Sequence, residues 1–345
     1  MQQPALERDS RFELLRLTAI LFVVAHHVLL FGADVCGYLT PYDPHTKGIL
    51  GLWLNSVFVT GVNLFVMISG WFGIRKVWQP LVRLTVECAI FGAIALGLCI
   101  LLYNVFPVKG ADPHWSLWRL WQSVKFTNWW FIVHYMMLVL SAPILERMLS
   151  GIDGRTLLRI LVCLVVLNFV FGYWWEYLND TGYNVLQFIF LYVIARAMRL
   201  YMEPHCHKLP QHYIWICIAL CVIALSLSAN YREYWPAGIL PSSWRYNCPV
   251  VVLESVAIFM LFMRINLRSA IVNRTASCIL GVYLIQSAPA LIPYRNALGH
   301  WMYAHYGWLG FIAATLLLFI GSLAISAAIS IPLRRWVWRK ILATK

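Results

Sequence analysis

Arg16 and His27 lie in one long apolar run, where an ionisable side chain costs free energy and marks a function by default. They lie eleven positions apart. On an α-helix that spacing turns the chain by about 1100°, about 20° from three full turns, and climbs about 16.5 Å. With Ile20 and Val23 between them, the two side chains therefore share a stripe, and His26 sits about 80° off it. Such a pair describes a channel that starts at the cytoplasm and that an anion could enter. A guanidinium binds anions by bidentate charge-assisted bonds. A neutral imidazole has the chemistry of a general base or a nucleophile. His27 is the preferred functional histidine, with His26 beside it as a further catalytic candidate. A plainer reading pairs Arg16 with Glu13 at i,i+3 as a helix anchor and leaves His27 as an interfacial residue.

Other polar residues inside apolar runs are few: Arg83, Glu87, His134 and Glu254, with the uncharged Asn63, Asn128, Asn168, Gln187 and Gln286. Glu87 and Glu254 read as packing partners of Arg or polar groups on neighbouring helices. His134 reads equally as a hydrogen-bonded structural residue or as a site member, and Asn63, Ser69 and Trp130 join it on position as substrate-binding candidates. His205, Cys206 and His207 with His212 have ligand chemistry, but they sit in a short loop and no metal site is expected. The nine cysteines form neither a disulfide framework nor a CxxC signature.

The elements that must position these residues are membrane helices. Of 345 residues 61% are hydrophobic and only 12% charged, against about 25% charged in soluble domains. Runs long enough to span a bilayer fall near 12–32, 50–72, 81–105, 128–149, 157–175, 184–202, 213–229, 248–265, 275–293 and 308–331. The expected fold is all-α, a polytopic bundle of about ten membrane helices in one domain, 1–345, with a polar segment 1–11 and a basic tail 332–345. An N-terminus on the cytoplasmic side leaves only Lys47, Lys109, Arg119, Lys125, Arg232, Arg245 and Arg295 of the 27 Lys and Arg at outer ends. That bias puts both termini in the cytoplasm. The net charge of +13 thus follows from topology and does not call for nucleic acid. Trp115, Trp118, Trp121, Trp129, Trp130, Trp174, Trp175, Trp235, Trp244 and Trp301 cluster at outer ends, either as an interfacial belt or as a platform for sugar rings. Ser116 to Phe126 has the apolar spacing of an interfacial helix.

Four segments resemble the integral-membrane acyltransferase 3 family over essentially the full length. They are Arg11-Phe12-Glu13-Leu14-Leu15-Arg16-Leu17 followed by His27, Leu64 to Phe72 with its Ser69-Gly70-Trp71 element, Asn128-Trp129-Trp130-Phe131 through Pro143, and Leu280 to Ile285. Members O-acylate bacterial surface polysaccharides, the enterobacterial-common-antigen O-acetyltransferase type among them. They commonly carry His after the last segment, where this chain has Gln286.

The resemblance implies an acyltransferase of the bacterial cytoplasmic membrane. It would move an acyl group, most often acetyl, from cytoplasmic acyl-CoA to a hydroxyl of a cell-envelope polysaccharide or lipid-linked sugar. Arg16, Arg75, Lys76 and Arg83 would hold the CoA phosphates, and His27 would act on the acceptor. A transporter or flippase for an anionic or glycan-lipid substrate is the competing class, since it would use the same intramembrane Arg and His without chemistry.

Overall fold

The computed structural model describes residues 9–36, 48–178, 181–203, 208–230 and 244–334. His205, Cys206 and His207, residues 1–8 and most of the tail from 332 lie outside the described residues.

The described chain is all-α. Helix α1 is Ser10–His27, prolonged by a π-helical turn at Val28–Gly32. Helices α2, Ile49–Phe58, and α3, Gly61–Phe72, together make one span, and α4 is Trp78–Val105. The short α5, Leu117–Ser123, precedes α6, Trp130–Leu149. Helix α7, Gly154–Val165, runs on through Val166–Trp174, and α8, Val185–Ala197, through Met198–Met202. Next come α9, Gln211–Asn230, and α10, Pro249–Met263. The last three are α11, Ala270–Ala276, α12, Ile279–Gln286, and α13, Ile292–Leu333.

Among the described residues eight helices are long and apolar enough to cross a membrane, and Pro249–Met263 and Ala270–Gln286 are shorter apolar ones. The chain is thus a multi-pass integral membrane protein. Helices satisfy every backbone group internally, which hydrocarbon demands. Starts are set by side chains that accept from the first free amides: Asp9 from Arg11, Asp153 from Arg155 and Thr156, Asn184 from Leu186 and Gln187, and Ser269 from Val272. Large apolar side chains such as Leu140, Ile144, Leu220 and Leu309 stay exposed, as suits a protein whose solvent is lipid.

One expectation needs correction. The ninth span, 275–293, is not continuous: α11 and α12 are two short helices, and the chain leaves helical geometry before α13 begins at Ile292. Pro289 disfavours helical geometry at Ala288, and Pro293, which fits the first turn of a helix, starts the next one. Residues 292–306 are therefore the first arm of α13, which bends at Gly307 (φ 56°) before its second arm begins. That positive φ suits glycine.

Two compact units divide the chain. The first comprises 1–33, 85–128 and 265–345. Within it α1 packs on α11, α12 and α13, and α12 lies along α13. The second comprises 34–84 and 129–264. Within it α8 packs against α3, α6 and α7, and α9 against α2 and α10.

Candidate functional site

Helix α1 is regular from Ser10 to His27, so Arg16 and His27 do share a stripe, and Ile20 and Val23 between them are buried. Arg16 donates from Nη1 to Glu13 Oε1 at 2.7 Å, and its side chain is 32% exposed. The local pair is therefore present. It uses one guanidinium nitrogen, and five N–H donors are available to arginine. His26 is buried with its ring centroid 6.0 Å from that of His27. The His27 Nδ1 is enclosed and has no hydrogen-bond partner among the described residues.

A second cation, Arg295, completes this region, and sequence reasoning had placed it in an outer loop. The π-turn after His27 packs on the first arm of α13, where Gly32 and Gly299 meet. A Cβ at either glycine would lie 3.1 Å from the Cα of the other, so a larger residue at either place would press the two backbones apart by a few tenths of an ångström. One turn before Gly299, Arg295 lies over the Phe31 ring, Cζ 5.7 Å from its centroid, and Phe31 in turn is 6.0 Å from the His27 ring. The guanidinium is close enough to His27 to act on it electrostatically. Arg295 is only 6% exposed. Its Nη1 donates to the Gln286 carbonyl at 2.9 Å, and its Nε and Nη2 donate to Asn296 Oδ1 at 3.1 and 3.0 Å. No carboxylate pairs with it among the described residues. The signal in the sequence was Pro293, which makes Arg295 helical, and the Gly299 four residues on.

Arg295 and Gln286 also line a cavity of about 890 Å³, walled mainly by apolar residues of α4 and both arms of α13. Gln286 donates from Nε2 to Ser322 Oγ at 2.6 Å and to the Leu318 carbonyl at 3.1 Å, and its Oε1 is enclosed without a partner among the described residues. The residue standing where a histidine was expected thus braces α12 against α13.

The second unit holds the other candidates. Arg75 and Lys76 are exposed in the link after α3, and Arg83 is half-buried on α4. That link is held at its start. Arg196 of α8 donates to Glu146 Oε2 of α6 at 2.7 Å, Tyr192 donates its hydroxyl to Glu146 Oε1 at 2.6 Å, and the Ile74 amide donates to that hydroxyl oxygen at 2.9 Å. Nothing in the sequence joined these two helices to the link.

Asn63 is fully buried with both polar atoms engaged. It donates to the Tyr246 carbonyl at 3.0 Å and accepts from Gln187, which accepts from Asn168. That chain of amides ties α3, α7 and α8 together. Ser69 bonds the Tyr135 hydroxyl at 3.1 Å. Trp130 stacks on Tyr246 at 5.6 Å and lies 4.3 Å from the Tyr183 ring. His134 donates from Nδ1 to the Trp130 carbonyl at 2.8 Å, because a carbonyl only accepts. Nε2 is then the proton-free nitrogen when the ring is neutral. Trp130, His134 and, through the stacked Phe131 and Tyr135, Ser69 fall in one aromatic cluster. Glu254 departs from its expected reading: it is fully buried, and neither carboxyl oxygen has a partner among the described residues.

A family described as acyltransferase domain, acyltransferase 3, matches residues 9–331. No curated protein and no solved structure matches the chain.

Proposed function

We propose that this chain, which belongs to the acyltransferase 3 family and is a membrane acyltransferase, moves an acetyl group from cytoplasmic acyl-CoA to a hydroxyl of a cell-envelope polysaccharide or lipid-linked sugar. Its place is the bacterial cytoplasmic membrane, with both termini inside. The observation that carries this reading is His27: an imidazole deep in a membrane helix, with an enclosed Nδ1 that no described residue uses, about 16.5 Å along one stripe from Arg16.

In the first unit Arg16 is the cation offered to the CoA phosphates, and Arg75, Lys76 and Arg83 are the second unit's own phosphate-binding candidates. Arg16 keeps donors beyond the one given to Glu13. The lock of Glu146, Tyr192 and Arg196 fixes where the Arg75 and Lys76 link begins. His27 takes the proton of the acceptor hydroxyl as that oxygen bonds to the thioester carbonyl carbon. The carbon–sulfur bond breaks, and the imidazolium returns its proton to the departing thiolate. Within the second unit, Trp130 and His134, with Ser69 near them, are the candidates for stacking on and hydrogen-bonding a sugar. Asn63, committed to the buried amide chain, organises the helices behind them.

The test is transfer of radiolabel from acetyl-CoA into envelope glycan by membranes that carry the protein. Covalent label in the glycan supports the reading. Glycan that crosses the membrane without acquiring label refutes it in favour of transport.

A further inference from the structure

The cavity of the first unit, about 890 Å³, is of the size that encloses a small-molecule ligand, about 300–1,000 Å³. Its walls are hydrocarbon: Leu98 and Leu102 of α4, Leu298 of the first arm of α13, and Leu317 and Ile325 of the second. A sugar would find few partners there. The lining turns cationic where Arg295 reaches it. Three of the five guanidinium N–H groups are spent on the Gln286 carbonyl and Asn296, which leaves one on each Nη without a partner among the described residues. A guanidinium 6% exposed and lacking a carboxylate is costly, so the site is complete only when a negative group joins it. A negative group attached to hydrocarbon is an anionic lipid.

We propose that this cavity holds the hydrocarbon tail of a phosphate-linked lipid carrier with its phosphate on Arg295, so that the acceptor is a lipid-linked sugar and not a finished, lipid-free polysaccharide. The inference rests on the acyl-transfer reading of His27. With the N-terminus cytoplasmic, His27 lies about 25 Å along α1 from Ser10, near the outer boundary of a hydrocarbon core about 30 Å thick. Lipid phosphates of the outer leaflet sit at that boundary. The donor comes up the Arg16 stripe from the cytoplasm and the acceptor reaches His27 from the opposite leaflet. Because Arg295 and His27 flank the same Phe31 ring, the acylated hydroxyl belongs to the sugar nearest the lipid.

Two glycines make the test clean. Gly321 lines the cavity, and a Cβ there meets nothing within 4 Å, so Gly321→Trp puts bulk into the cavity without striking backbone. Gly97 of α4 is equally open but outside the lining, so Gly97→Trp reports what an added indole does elsewhere. Full-length protein in phosphatidylcholine nanodiscs is given polyprenyl phosphate, and retention is read by native mass spectrometry. Radiolabelled acetyl-CoA is then supplied with a polyprenyl-phosphate-linked sugar or with the same sugar as a methyl glycoside. Wild type and Gly97→Trp retain polyprenyl phosphate. Retention falls about tenfold in Gly321→Trp and in Arg295→Gln, and Arg295→Lys recovers part of it. Label enters the lipid-linked sugar about tenfold faster than the glycoside. Undiminished retention in Gly321→Trp, equal use of the glycoside, or displacement by phosphatidylglycerol at equal concentration overturns the proposal. The expected retention pattern with no label in either sugar supports the lipid site and refutes acyl transfer instead.

Discussion

Two arginines, one in each unit, sit among apolar helices with opposite surroundings. Arg196 of the second unit meets Glu146 at 2.7 Å, and Tyr192 and the Ile74 amide extend the network. Among the described residues Arg295 of the first unit bonds a carbonyl and an amide oxygen and lies over the Phe31 ring, with no carboxylate, beside a cavity and a histidine whose Nδ1 has no partner. A guanidinium neutralised by a carboxylate holds helices together, even though the Arg196 Nε is enclosed without a partner among the described residues. One with no such counter-charge is prepared for an anion that arrives. The second unit spends its amides the same way, in the Asn63, Gln187 and Asn168 chain.

The comparison breaks most visibly at His27. His27→Ala should lower acyl transfer by about 10²–10⁴-fold, the usual worth of a general base, with membrane abundance unchanged by immunoblot. Near-normal transfer would move the chemistry out of the first unit. The arginines should then separate by the kind of damage they cause. Arg196→Met strands Glu146 and should cost roughly 1–3 kcal/mol of stability, between exposed and buried ion-pair values, measured by thermal unfolding in detergent. Arg295→Gln, which strands no carboxylate, should shift that melting temperature less. A larger shift for Arg295 than for Arg196 would reverse the division between holding and receiving.

Arg16→Lys comes next. A point charge cannot replace the planar fork, so the Michaelis constant for acyl-CoA should rise roughly threefold to tenfold while turnover changes less. An unchanged constant would remove Arg16 from donor binding. Glu254 sharpens the rule within the second unit. A buried carboxyl without a partner is a cost, so Glu254→Leu should leave stability unchanged or raise it by up to about 1 kcal/mol, and a loss would reveal a partner that arrives there too.

The smallest effect is at the start of α7. The Thr156 hydroxyl, and then the Thr156 and Arg155 amides, hold the Asp153 carboxyl below its ordinary value of 3.8. A lowered folded value means that its contribution is full above that ordinary value and is lost as pH falls through the lowered one. Acid loosening of α7, followed by amide exchange, should therefore begin only in that strongly acidic window, and Asp153→Ala should remove the dependence.

What the sequence made legible was local. Apolar runs marked the spans, and the eleven-residue interval put Arg16 and His27 on one stripe because that interval lies inside a single regular helix. Asp9, Asp153 and Asn184 announce the helix starts that they cap. The rest depends on contacts between distant segments. Arg295 looked like an outer-loop cation because Tyr294, His300 and His305 dilute the hydropathy of the first arm of α13. Its place beside His27 comes from the meeting of Gly32 with Gly299, which no periodicity encodes. Asn63 sits where a substrate contact was expected, yet only the placement of Gln187 and Tyr246 shows its atoms to be occupied. The Glu146, Tyr192 and Arg196 lock joins two helices to a link, and each component alone resembles an ordinary span-end residue.

Gly307 lets a single helix supply opposing walls of one chamber, since the residues before and after it, Leu298 and Leu317 for example, both border the same space. Walls cut from one bent rod cannot separate independently, so the gap between these two follows the bend at Gly307. A guest too wide for that gap must open the elbow, so selectivity toward thick or slender guests is set in part twelve residues beyond Arg295.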